Sequence, residues 1–257
     1  MKNTATQQAP IIGLDIGTSR IVAARQVNQQ ETVQAQLNAF VSIPYTKLTE
    51  SSLKRENVPH AVSDGQLIVY GNESARMADL LGREIRRPMT RGVLNSSEPD
   101  SLPQMQEIIG TVLGDDPVDG TKVCFSVPAP PLGSEDNLTY HEATVKQILS
   151  QLGYEDVRSI NEGLAVIYSE LEDSNYTGIG VSCGGGLCNV ALAYMSVPVL
   201  SFSVAKGGDF IDTSAANVTG ELVNRVRLAK EESFHFNGHF TDKVQQALSV
   251  YYDDMIQ

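Results

Sequence analysis

A chain of 257 residues with 41% hydrophobic content holds enough apolar side chains to fill one large domain or two ordinary ones. Its 19 basic against 31 acidic residues leave a net charge of −12, which argues against nonspecific nucleic-acid binding and against attraction to anionic membranes. Three cysteines form neither a secreted disulfide framework nor a metal-ligand pattern with histidine, and no stretch approaches the roughly 20 apolar residues of a transmembrane segment, so the chain reads as a cytoplasmic protein with reduced thiols.

Residues 1–10 are polar, lack the apolar centre of a signal peptide and read as a disordered lead-in. IIGLDIGTSRIVAA, residues 11–24, is an apolar run broken by one aspartate and a Gly-Thr-Ser turn, a strand-turn-strand pattern with its polar atoms at the bend. Gly17 brings conformational freedom, Thr18 and Ser19 bring hydroxyls beside exposed N–H groups, and Arg20 a fixed positive charge, so this tip suits a phosphate. Asp15 ends a strand expected to be buried, where a carboxylate is costly unless a cation such as hydrated Mg²⁺ faces it. An ordinary hairpin whose aspartate caps the turn is the alternative.

Residues 32–92 read as a small sheet-bearing insertion, with a loosely alternating stretch at 32–43, a short strand at 67–70, a helical period at 72–83 and extended RPMTRGV at 87–93. A helix is expected over 103–113 with its proline in the first turn, then a turn-rich connection and the buried strand KVCFSV at 122–127, ending in the Pro-rich 128–131. Helices at 141–152 and 162–171 flank the short strand VRSI. From residue 177 the pattern becomes three closely spaced apolar strands, the first two joined by Gly184, Gly185 and Gly186. Gly207-Gly208-Asp209 closes the third, and helices follow at 210–218, 221–232 and 241–256.

Two glycine-rich turns between apolar strands, if they face each other, hold a polyphosphate from two sides. On these residues the chain resembles the actin-like ATPase superfamily, which has a ribonuclease-H-like α/β fold of two lobes around a nucleotide cleft. GLDIGTSRIVAA looks like its first phosphate motif, in the manner of the division protein FtsA, and GIGVSCGGGLCNVALAYM like its second. INEGLAVIYSE looks like the connecting helix, with Gly163 where proline is common. VYGNESARM and RPMTRGV look most like the MreB group of bacterial actins, and GGDFID resembles the glycine pair after the second motif. The resemblance implies ATP with Mg²⁺ as ligands and a first lobe at 11–171. It also implies an incomplete second lobe from 172 onward, since no further Gly-Gly adenine-binding turn follows Lys230.

Carried over by position, the resemblance makes Asp15 the partner of Mg²⁺ through water and sets Gly17, Thr18, Ser19 and Arg20 at the phosphates. Gly184, Gly185 and Gly186 lie at the terminal phosphates, Gly207 and Gly208 at the glycine pair, and Lys230 with Arg227 in the helix that reaches the sugar. Glu142 is placed where the family has its water-orienting group; a solvated acid at a helix start is the other reading. Ser182 and Leu187 stand where the family has an aspartate and a threonine, and Asn189 where another aspartate is frequent. The expectation is therefore ATP binding with slow hydrolysis, coupled to filament formation of a cytoskeletal kind. A nonpolymerising FtsA-like or chaperone-like scaffold that binds another cytoplasmic protein is the alternative, and a sugar or acetate kinase ranks last.

Overall fold

The computed structural model describes residues 10–27, 30–114, 117–132 and 138–257; the expected lead-in and parts of the loops near residues 115 and 135 lie outside these. The opening strands β1 (Ile11–Ile16), β2 (Arg20–Val27) and β3 (Gln30–Leu37) form an antiparallel meander, with Ile16 opposite Ile21. Ile12, Leu14 and Ile16 are buried, whereas Ile11, Gly13 and Asp15 alternate with them on an exposed face. Asp15 is therefore not the buried carboxylate the sequence suggests, because the side-chain period of two puts it on the open side of a strand that is covered on one face only.

The stretch expected at 32–43 divides: β3 stays at the edge of the main sheet, and the small sheet begins with β4 (Phe40–Pro44). Helix α1 (Lys47–Arg55) has no counterpart in the sequence reading. It buries only Leu53 and so shows no apolar period; its visible signal is Thr46, whose side chain accepts from the Thr49 N–H as an N-cap. Strands β5 (His60–Ser63) and β6 (Gln66–Tyr70) complete the order β4-β6-β5, and α2 (Asn72–Leu81) packs on it over Val41, Ile43, Leu53, Leu67, Val69 and Ala78. RPMTRGV becomes the hairpin β7 (Met89–Thr90) and β8 (Val93–Leu94), turned by Arg91 and Gly92 with φ of 48° and 78°.

Next come α3 (Ser101–Leu113), β9 (Lys122–Val127), α4 (Leu138–Gln151) and β10 (Asp156–Asn161). Strands β9 and β10 run parallel to β1, giving the order β10-β9-β1-β2-β3, and α3 and α4 close the core over Leu14, Ile16, Phe125, Ile108, Ile109, Ile148 and Leu149. Because β1, β9 and β10 are parallel, their C-terminal ends share one edge, the usual place for a ligand in such sheets.

Helix α5 (Glu162–Glu170) leads from that edge to the antiparallel meander β11 (Gly178–Cys183), β12 (Cys188–Tyr194) and β13 (Val197–Val204). Its contact is made by small residues: a Cβ on Gly163 would stand 2.9 Å from Ala191 N, and Gly180 has Ile167 Cγ1 at 2.8 Å. Helices α6 (Gly208–Thr219), α7 (Val223–Glu232) and α8 (Lys243–Ile256) then share a core of Ile211, Ala215, Val226 and Leu248.

Candidate functional site

At the C-terminal edge of β1 lies a cleft of about 510 Å³. The hairpin tip from Gly17 to Arg20 forms one wall and the turn from Gly184 to Leu187 the opposite one. The tips touch: a Cβ on Gly185 would sit 2.9 Å from Ser19 Cβ, and one on Gly186 would strike the Thr18 hydroxyl. Each turn closes on itself, Gly17 N–H donating to the Arg20 carbonyl (3.0 Å) and Gly184 N–H to that of Leu187 (2.9 Å). The N–H groups of Thr18, Ser19, Gly185 and Gly186 have no backbone acceptor among the described residues. Closeness explains glycine here better than the conformational freedom expected from the sequence, since Gly17 is hemmed in by the Arg20 carbonyl at 2.9 Å.

Three acids line this space, Asp15, Glu162 and Glu231, and the first two stand near the end of β1 and at the start of α5. Asp15 Oδ1 accepts from Ser126 Oγ at 2.6 Å, and the same hydroxyl accepts from Ile16 N–H at 3.1 Å, so the end of β9 fixes the carboxylate at the end of β1. Glu162 opens α5, capped by the Asn161 side chain. Asn189 Oδ1 accepts from Ala129 N–H (2.7 Å), which turns its Nδ2 toward Glu162 Oε2 at 2.5 Å, and Ser182 Oγ donates to that oxygen at 3.4 Å. Burial, then the negative charge of Asp15, push the Glu162 carboxyl up to about 7. Glu142, the acid singled out in the sequence, is not on the cleft wall. It accepts from Lys146 and from Ser159, both at 2.6 Å, and these bonds hold it below the usual carboxylate range. Helix α4 packs beside β10, and Glu162, the first residue of α5, is on the cleft wall where Glu142 is not.

The remaining expected residues support the second turn. Gly208 N–H donates to the Gly184 carbonyl (2.9 Å) and Asp209 N–H to that of Gly185 (2.7 Å), so the turn caps α6. Gly207 lies beneath it, with the Gly184 and Gly185 carbonyls 2.7 Å from the position of a Cβ, and is not on the wall. Lys230 is on the wall, donates to the Gly208 carbonyl at 3.0 Å and forms an ion pair with buried Asp212 at 2.8 Å. Thr18 is tied as well, its hydroxyl accepting from Gly92 N–H at 2.8 Å. Cys183 and Cys188 face each other with Sγ atoms 3.3 Å apart; burial and then Cys183 push the Cys188 thiol up to about 12, in keeping with a small apolar pair.

A family model described as Volactin matches residues 11–257. The chain belongs to the Volactin family. Among solved structures it is similar to MamK, determined as a double helical filament, at 17% identity and TM-score 0.71, covering 97% of this chain and 77% of that one. It is also similar to MreB5 of Spiroplasma citri bound to ADP, at 14% identity and TM-score 0.68, covering 97% and 78%. The ethanolamine utilization protein EutJ of Carboxydothermus hydrogenoformans follows at 12% identity and TM-score 0.53, covering 96% and 69%. No curated protein matches. At these identities the likeness shows the fold, and that fold is the actin-like ATPase one: a mixed five-stranded sheet in the first lobe, a smaller second lobe, and the cleft between them.

The donor set suits anionic oxygens: four N–H groups without backbone acceptors, and Arg20 at the rim. Among the described residues no three acids, histidines or cysteines come together to hold a metal ion, so a cation would need ligands brought in with it. Sequence reasoning missed Glu162, although its motif was singled out; the readable signal was its place as the first residue after a parallel strand. It also missed Tyr252 and Met255 of α8, which line the cleft.

Proposed function

We propose that this protein binds ATP with Mg²⁺ in the cleft and uses occupancy to control self-association. The observation that carries this reading is the pair of touching glycine turns with free N–H groups at the C-terminal edge of the parallel strands. Thr18, Ser19, Gly185, Gly186 and Arg20 would hold phosphate oxygens, and Asp15 would face the hydrated cation. Gly207, Gly208 and Lys230 act by holding the second turn in place. Bound Mg²⁺ would supply positive charge beside Asp15 and Glu162. Glu162, with a carboxyl near 7 next to the turns, is suited to take a proton from an attacking water. Ser182 brings no carboxylate and Leu187 no hydroxyl to the second motif, which favours tight binding with slow turnover.

Nucleotide in MreB5 and the filament of MamK lend support from the same fold. Calorimetry with Mg·ATP, followed by sedimentation with and without ATP, tests the proposal. Expected are saturable binding that Asp15→Ala makes independent of Mg²⁺, and sedimentable polymer only with nucleotide. Binding without polymer would favour the scaffold alternative; no binding would overturn both.

A further inference from the structure

The second glycine turn is bracketed by two thiols that the nucleotide reading does not use. Cys183 ends β11 and Cys188 begins β12, and the two are direct partners in the antiparallel register, with residues 184–187 between them. Gly184 N–H donates to the Leu187 carbonyl at 2.9 Å, so Cys183 and Cys188 occupy a non-hydrogen-bonded position, where cross-strand side chains stand closest. Cα atoms about 4.5 Å apart at such a position fall inside the range of about 4.4–6.8 Å that a disulfide spans. The Sγ atoms already lie 3.3 Å apart. Their surroundings differ: Cys183 is exposed and on the cleft wall, whereas Cys188 is buried. Further along the same face Val181 pairs with Val190 and Ile179 with Leu192, so the neighbours are apolar and suit an uncharged bond.

We infer that Cys183 and Cys188 are a modification site, a dithiol that hydrogen peroxide closes to a disulfide across the base of the second turn. The order of reaction follows from exposure. Burial, then Cys183, hold the Cys188 thiol protonated, so the accessible Cys183 reacts first. Its sulfur, as thiolate, attacks one peroxide oxygen. An S–O bond forms, the O–O bond breaks, and the departing hydroxide takes up the proton that the thiol released, leaving a sulfenic acid and one water. Cys188 Sγ then attacks Cys183 Sγ: the S–S bond forms, the S–O bond breaks, and hydroxide leaves with the Cys188 proton as a second water. Two electrons have passed from the sulfurs to the peroxide. As thiols the pair is a small apolar contact; as a disulfide it staples the ends of a turn whose tip has no slack, Gly185 meeting Ser19 and Gly186 meeting Thr18. The oxidation state of the pair is thereby passed to the cleft wall.

The site does not depend on what the cleft binds, so its test needs no nucleotide. Folded wild type treated with hydrogen peroxide is expected to lose two of its three thiols, to yield a Cys183–Cys188 disulfide in peptide mapping, and to recover both thiols with dithiothreitol. Hydrogen exchange of the Gly184 N–H, which closes the turn, should slow in the oxidised form because the staple suppresses local opening. In Cys188→Ser the reaction should stop at a sulfenic acid on Cys183, trapped by dimedone. In Cys183→Ser the remaining Cys188 should be consumed at least about tenfold more slowly than Cys183 is in the wild type. Cys124→Ser should oxidise as the wild type does. Should a variant fail to fold, the mapping of the wild type decides. A wild type that keeps all three thiols, that links Cys124 or a second molecule instead, or that carries Cys183 to sulfinic acid with Cys188 still free overturns the proposal. Unchanged exchange at Gly184 in the disulfide form overturns the link to the cleft wall.

Discussion

Glu142 and Glu162 both open helical stretches in the sequence, and their surroundings separate them. Glu142 is satisfied by Lys146 and Ser159 and is not on the cleft wall, whereas Glu162 is half-buried on that wall and feels the charge of Asp15. Glu162→Gln should therefore lower steady-state ATP turnover by at least 100-fold while changing affinity only a few-fold, and Glu142→Gln should leave turnover unchanged. A matching loss in both variants would reject the assignment. The same residue shapes stability. With its carboxyl raised from 4.5 to about 7, folded Glu162 keeps a proton that the unfolded chain releases, so its contribution is fully present below pH 4.5 and lost as pH rises through 7. His141 works in the opposite direction. Burial lowers it from 6.5 to about 4, so its contribution is present above pH 6.5 and lost as pH falls through 4. Each gap corresponds to on the order of 3 kcal/mol at most, and the two slopes oppose each other between pH 4.5 and 6.5. Urea unfolding across pH should show stability rising toward neutrality in Glu162→Gln and falling toward it in His141→Leu. Parallel curves for both variants would mean that neither group is held as described.

At the scale of elements, strongly periodic segments were legible and locally polar ones were not. Helices α3, α4 and α5 and the three-strand meander lie within a few residues of expectation, because each buries one apolar face. Helix α1 escaped because it buries a single leucine, and β3 was read into the insertion because its residues are almost all exposed. The seam between α5 and β11 was invisible for another reason: glycines mark it only through what a Cβ would strike. At Gly180 that Cβ meets the Gly163 carbonyl, which is backbone and cannot rotate away, whereas at Gly13 it meets nothing within 4 Å. Gly180→Ala should thus cost about 1–3 kcal/mol in chemical unfolding, and Gly13→Ala should be neutral or slightly stabilising. Since Glu162 sits at the start of the displaced helix, Gly180→Ala should also slow ATP turnover. Equal stability of the two variants would show that the seam relaxes freely.

For the whole molecule, the two turns could be paired from sequence because both motifs carry glycine and flanking strands, but what fastens one lobe to the other could not. The lobes are joined by contacts far apart in the chain. Gly92 of the β7–β8 hairpin donates to Thr18 and meets Leu187 of the second turn, and Arg87 Nη1 donates to both carboxylate oxygens of Asp209 at 2.7 Å. Arg87 belongs to the first lobe and Asp209 to the first turn of α6, directly behind the glycine turn that Asp209 caps through its backbone N–H. The pair therefore ties the first lobe to α6 without lining the cleft. Being partly exposed, it should be worth no more than about 1 kcal/mol. A clasp of that strength acts on opening: Arg87→Ala and Asp209→Asn should each speed release of a fluorescent ATP analogue by about two- to fivefold, the equivalent of that energy, with little change in association rate. The two substitutions together should speed it no more than either alone, because each already breaks the same contact. Stopped-flow release rates that multiply in the double variant would show that the residues act separately, and that the lobes are held by the turns alone.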